Sequence, residues 1–88
     1  MRTLILYRPN SEFARRAEEY SHDFERTRNQ SLELLDVDSV EGGRTAQLYG
    51  MMQYPCMLVL KDDGQLIKDW RGVDQFPLMN ELAVYLNS

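Results

Sequence analysis

Cysteine is almost absent from this chain. A single residue, Cys56, among 88 excludes an intramolecular disulfide and any zinc site built from cysteines. That usage fits the reducing cytoplasm, which is the expected location. Histidine is equally scarce, with only His22 available for acid–base work. Basic residues are outnumbered ten to fourteen, giving a net charge of −4, so a nucleic-acid partner is not expected. No apolar run approaches the roughly 20 residues that span a bilayer, and no membrane association is expected. The apolar start, Met1 to Tyr7, is too short for a signal peptide and lacks a small-residue cleavage site. It reads as a first strand.

What is present is an ordinary globular composition, 43% hydrophobic and 27% charged, without repeats or linkers. One domain over residues 1–88 is expected. Thr3 to Tyr7 is continuously apolar, as suits a strand buried on both faces. Phe13, Ala17, Tyr20 and Phe24 then recur on one helical face, predicting a helix from about Ser11 to Arg28 with Asn10 or Ser11 as its cap. A second strand is expected over Leu32 to Val37, with Leu32, Leu34 and Val37 inward. A short helix should follow over about Arg44 to Met51, burying Ala46, Leu48 or Tyr49, and Met52. Tyr54-Pro55 ends it, because the residue before a proline disfavours helix.

Asp62-Asp63-Gly64 marks a hairpin between a third strand, Cys56 to Lys61, and a fourth, Gln65 to Trp70. A last helix is predicted from Phe76 or Pro77 to Leu86, with Leu78, Met79, Leu82, Ala83 and Leu86 inward. The order β-α-β-α-β-β-α implies a mixed four-stranded α/β sheet covered on both faces, strands one and three central. Strands separated by helices are expected to run parallel.

The junction between the first strand and helix carries the functional information. It reads Tyr7-Arg8-Pro9-Asn10-Ser11-Glu12-Phe13-Ala14 and presents helix N-terminal amides at the carboxyl edge of the sheet. This segment resembles the one in glutaredoxins where a tyrosine and a proline precede Cys-Pro-Tyr-Cys. Tyr54-Pro55-Cys56 resembles the family's cis-proline ahead of a core strand, and Lys61 to Leu66 with Trp70-Arg71-Gly72 resembles the thioredoxin hairpin and its trailing glycine. The whole chain is therefore similar to the thioredoxin-like superfamily, a three-layer α/β/α sandwich.

By that resemblance Ser11 stands at the nucleophilic cysteine and Ala14 at the resolving one. Ile5 occupies the position of the buried carboxylate of thioredoxins. A serine hydroxyl cannot cycle through a disulfide and needs an adjacent base to act as a nucleophile. Dithiol oxidoreductase activity is not expected, and no catalytic residue, metal or cofactor is assigned. Asp36 and Asp38 share a strand end without further ligands.

Three readings of the vestigial site remain open. The first is a groove formed by Arg8, Ser11, Phe13, Tyr54 and Pro55 that binds a protein or peptide partner, rimmed by Tyr7, Met51 and Met52. Its affinity would come from strand addition at the Tyr54 backbone, as the resemblance implies. The second is a monothiol redox protein or sensor acting through Cys56, with a buried, inert thiol as the alternative. The third is glutathione binding without reduction, with Arg8 as the basic group and Gly72-Val73-Asp74 as a loose echo of the family's glutathione segment.

Overall fold

The computed structural model describes residues 1–87. Its elements are β1 (Arg2–Tyr7), α1 (Ala14–Arg28), β2 (Glu33–Asp36), α2 (Val40–Tyr49), β3 (Cys56–Leu60), β4 (Leu66–Arg71), a 3-10 turn (Val73–Gln75) and α3 (Met79–Leu86). The sheet order is β2-β1-β3-β4. β1 and β2 are parallel, with Ile5 beside Leu34, while β3 is antiparallel to both β1 and β4. Strands one and three are central, as their uninterrupted apolar runs require.

The expectation that helix-separated strands run parallel holds for β1 and β2 and fails for β2 and β3. After α2 the segment from Gly50 to Pro55 reverses the chain's direction. β3 then begins beside the end of β1, with Cys56 opposite Leu6.

Alternation along β1 divides the core into two layers. Ile5 and Tyr7 face Ala17, Phe24, Met57, Val59 and Leu82, beneath α1 and α3. Leu4 and Leu6 face Ala46, Met51, Cys56, Leu58 and Leu60, beneath α2. Each large side chain fully buried here contributes about 1.5–3 kcal/mol of transfer free energy.

Helix boundaries follow the caps. α1 begins at Ala14, three residues later than predicted. Asn10 takes a left-handed conformation (φ 67°), and residues 11–13 form a turn in which the Ala14 amide donates to the Ser11 carbonyl at 3.2 Å. Ser11 is therefore not the cap, and neither is Asn10. α2 begins at Val40, four residues earlier than predicted, because the Ser39 hydroxyl accepts the Gly42 amide at 3.0 Å. Gly42 sits where an added Cβ would lie 1.8 Å from the Asp36 carbonyl oxygen, so glycine permits helix and strand end to approach. α2 ends at Tyr49, with Gly50 in the left-handed region (φ 68°).

Several residues expected inside lie outside. Leu34 points from the edge strand β2, Leu48 and Leu78 are exposed, and Met52 is 88% exposed while its neighbour Met51 fills the core. β2 itself is shorter than expected, and Leu32 and Val37 are buried just beyond its ends.

Candidate binding site

The end of β1, the start of α1, the segment before β3 and the turn after β4 meet at one edge of the sheet. Phe13 ahead of α1, the segment before β3 and the turn after β4 line a cleft of about 190 Å³ there. The lining is Phe13, the segment Gln53, Tyr54 and Pro55, and the run from Arg71 to Gln75. Phe13 is 38% exposed, the residue just ahead of α1 rather than a member of its buried stripe.

Pro55 is held from both directions. The Tyr54–Pro55 peptide bond is cis, and the Pro55 carbonyl accepts the Gly72 amide at 2.9 Å. Gly72 has φ 94°, a backbone region that side chains rarely tolerate. The Gln53 amide group lies where a Cβ on Gly72 would fall, 2.8 Å away.

Tyr54 is fixed at its side chain and open at its backbone. Its hydroxyl donates to the Met51 carbonyl at 2.7 Å, and the Arg8 guanidinium lies 5.4 Å from the ring centroid. Among the described residues its own N–H and C=O make no hydrogen bond. A backbone pair left without partners in this way is what an added strand uses.

Arg8 does not line the cleft. It stacks on Tyr54 and pairs with Asp38 at 3.4 Å. Ser11 is exposed and also lies outside the lining; its hydroxyl donates to the Arg8 carbonyl at 2.6 Å. Ala14 is buried in the core beneath α1 rather than facing the site. Of the five groove residues expected from sequence, the cleft brings together Phe13, Tyr54 and Pro55. Of the apolar rim expected from Phe13, Tyr7, Tyr54, Met51 and Met52, the cleft has Phe13 and Tyr54; Tyr7 and Met51 are buried, and Met52 does not line it.

Cys56 is fully buried, which removes the partial exposure that a reactive thiol would need. It lies in β3 between Leu6 and Arg71. Burial pushes its thiol up to about 12; the Arg71 charge and a hydrogen bond from the Leu6 backbone pull the other way, while Asp69 adds to the rise. The thiolate is therefore disfavoured. Burial also raises the Tyr7 phenol, assisted by Glu18, whose carboxylate accepts from it at 3.4 Å.

Sequence reasoning missed Gln53, Arg71 and Gln75, and it named Gly72-Val73-Asp74 only as an echo of a glutathione segment rather than as lining of the same cleft as Phe13 and Pro55. The signal was Gly72, a glycine directly after a strand, which the turn requires. Arg71 pairs with Asp69 at 3.5 Å and Asp74 with Arg16 at 2.9 Å, so the charges along this wall are locally balanced. Among the described residues no cluster of three or more histidine, cysteine, aspartate or glutamate side chains could hold a metal ion. No described helix is long and apolar enough to cross a membrane.

No protein-family model and no curated protein matches the chain in sequence. Among solved structures it is similar to thioredoxin 1 from the thermophilic eubacterium Thermosipho africanus TCF52B. The TM-score is 0.67 at 11% identity, covering 99% of this chain and 91% of that one. Such a likeness concerns the backbone: the chain has a thioredoxin-like fold, with helices on both faces of a four-stranded mixed sheet.

Proposed function

We propose that this thioredoxin-like chain is a redox-inactive binding module. It takes an extended segment of a protein partner at the cleft between Phe13, Pro55 and the turn after β4. The observation that carries this reading is the backbone of Tyr54, a lining residue of the cleft, which is unpaired among the described residues. An incoming strand would satisfy both groups while placing a side chain against Phe13 and Val73. The neutral balance of the wall, with Asp74 and Arg71 both paired, favours an uncharged side chain at that point.

Redox inactivity rests on the residues at the vestigial motif. Ser11 and Ala14 supply no sulfur, and the one thiol, Cys56, is buried with its ionisation suppressed. The glutathione reading is less favoured, since Arg8 lies outside the cleft's lining, against Asp38 and the Tyr54 ring. The single cysteine favours a cytoplasmic location.

Two experiments test the proposal. Titration of the isotope-labelled protein with a panel of short extended peptides should shift amides of Phe13, of residues 53–56 and of residues 71–75. Perturbations confined to other regions would contradict it. An insulin-reduction assay should show no activity, and turnover with a dithiol reductant would overturn redox inactivity.

A further inference from the structure

Main-chain hydrogen bonds pin the segment Met52, Gln53 and Tyr54 only at its ends. Before it the Met51 amide donates to the Ala46 carbonyl at 2.8 Å, and after it the Pro55 carbonyl accepts the Gly72 amide at 2.9 Å. Between those points no backbone group makes a hydrogen bond among the described residues. The bond from the Tyr54 hydroxyl to the Met51 carbonyl stays local to the same stretch, and the ring packs on the core beneath α2. From the loop after β1, Arg8 reaches that ring, its guanidinium carbon 5.4 Å from the centroid.

We infer that Arg8 is a positioning residue for the Tyr54 backbone, with Asp38 holding its guanidinium over the ring. The inference rests on the strand-addition reading of the cleft and names a residue outside the lining that governs it. The Arg8 carbonyl accepts the Ser11 hydroxyl at 2.6 Å and the Ser11 amide at 3.2 Å, which fixes its main chain at the turn into α1. Its Nε pairs with the Asp38 carboxylate at 3.4 Å. Asp38 is held in turn by its own amide, which donates to the Asp36 carboxylate at 2.8 Å. A planar guanidinium placed in this way stacks on an aromatic face. One side chain thereby joins the loops after β1 and β2 to the segment before β3.

Each of these contacts is exposed and weak alone, so global stability depends little on them. Their effect is local, because the segment they brace has no main-chain bonds of its own. A braced Tyr54 leaves less ordering to be done when a strand is added, and preorganisation of that kind raises affinity. Arg8 does not line the cleft, so its influence on binding runs through Tyr54. Salt supplies a further signature. The Arg8–Asp38 pair is exposed and weakens as ionic strength rises, whereas an uncharged peptide brings no charge to screen. Affinity for such a peptide should fall with salt only while Asp38 is present.

The test uses the full chain and its variants Arg8→Gln, Arg8→Lys and Asp38→Asn. In the free protein, amide order parameters of Gln53 and Tyr54 should fall in Arg8→Gln while the urea midpoint stays nearly unchanged. Binding is then read with capped, uncharged peptides Gly-Thr-X-Thr-Gly, X being valine, leucine, phenylalanine, tyrosine or asparagine. Arg8→Gln should bind the best of them about fivefold more weakly, and Arg8→Lys, which keeps a cation for the ring, should lose less. Between about 0.01 M and 1 M salt the wild type should lose affinity that Asp38→Asn keeps. Unchanged order parameters, unchanged affinity in Arg8→Gln, or the same salt dependence with and without Asp38 would overturn the role of Arg8 and leave the cleft reading standing. An affinity loss that only tracks a lowered urea midpoint would overturn it too. A wild-type chain whose residues 53–56 respond to none of the peptides would sink the cleft reading itself, and this inference with it.

Discussion

The amide of Gly72 donates to the carbonyl of Pro55 at 2.9 Å, joining the end of β4 to the start of β3 at the candidate cleft. Glycine is favoured there by φ 94°, and the flexible end of the Gln53 side chain lies 2.8 Å from where a Cβ would fall. Gly72→Ala should therefore cost about 1–3 kcal/mol, chiefly from the backbone conformation, since the Gln53 side chain can swing aside. Urea denaturation measures the loss. Adding Gln53→Ala should recover only a minor part, and full recovery would show that the contact rather than the backbone sets the cost.

Gly42 answers to a different constraint. Its φ is helical, but an added Cβ would fall 1.8 Å from a main-chain oxygen, that of Asp36, which cannot move without shifting the end of β2. Gly42→Ala should destabilise by about 2–4 kcal/mol, in spite of alanine's better helix propensity. A neutral or stabilising outcome in thermal unfolding would contradict the packing of α2 on β2.

Two serines that look alike in sequence should behave differently. Ser39 caps α2 through Gly42, so Ser39→Ala should cost about 1 kcal/mol. Ser11 caps nothing, and the Arg8 carbonyl that it contacts also accepts the Ser11 amide at 3.2 Å. Ser11→Ala should stay within about 0.5 kcal/mol of wild type. Denaturation curves of the two variants side by side decide the matter.

Cys56 and Tyr20 predict the alkaline behaviour. Both acids are raised to about 12 in the folded chain, from ordinary values of 9.0 and 10.0. Above pH 9 the unfolded chain releases protons that the folded chain retains, so stability must fall as pH rises from about 9 toward 12. Below pH 9 neither group contributes a slope. Denaturant midpoints measured across that range should decline, and Cys56→Ala should remove the earlier part of the decline. Iodoacetamide should label Cys56 in urea but not in the folded protein at neutral pH.

Much of the fold was legible because its strongest signals are local. The unbroken run Leu4 to Tyr7, the apolar stripe Ala17 to Phe24 and the Asp63-Gly64 turn each specify one element without help from elsewhere. The beginning of α2 was not, because Gly42-Gly43 reads as a loop until the closeness of Asp36 is known. Leu34 and Met52 were expected inside by their chemistry alone. Their exposure depends on which strand lies at the edge and how the chain reverses after Gly50, and both are tertiary facts. At the site, Phe13, Tyr54 and Pro55 were found through the resemblance of their segments to the redox-motif and cis-proline segments of the thioredoxin-like superfamily. The wall from Arg71 to Gln75 required the sheet order, which sets β4 beside β3.

The central claim is that the Tyr54 backbone is held open for a partner strand. Amide hydrogen exchange at Tyr54 tests it most directly, with and without a peptide that shifts residues 53–56. The N–H should exchange rapidly in the isolated chain, where it has no acceptor, and become protected when the peptide is bound. Protection already present in the free protein, or rapid exchange that persists in the complex, would contradict it.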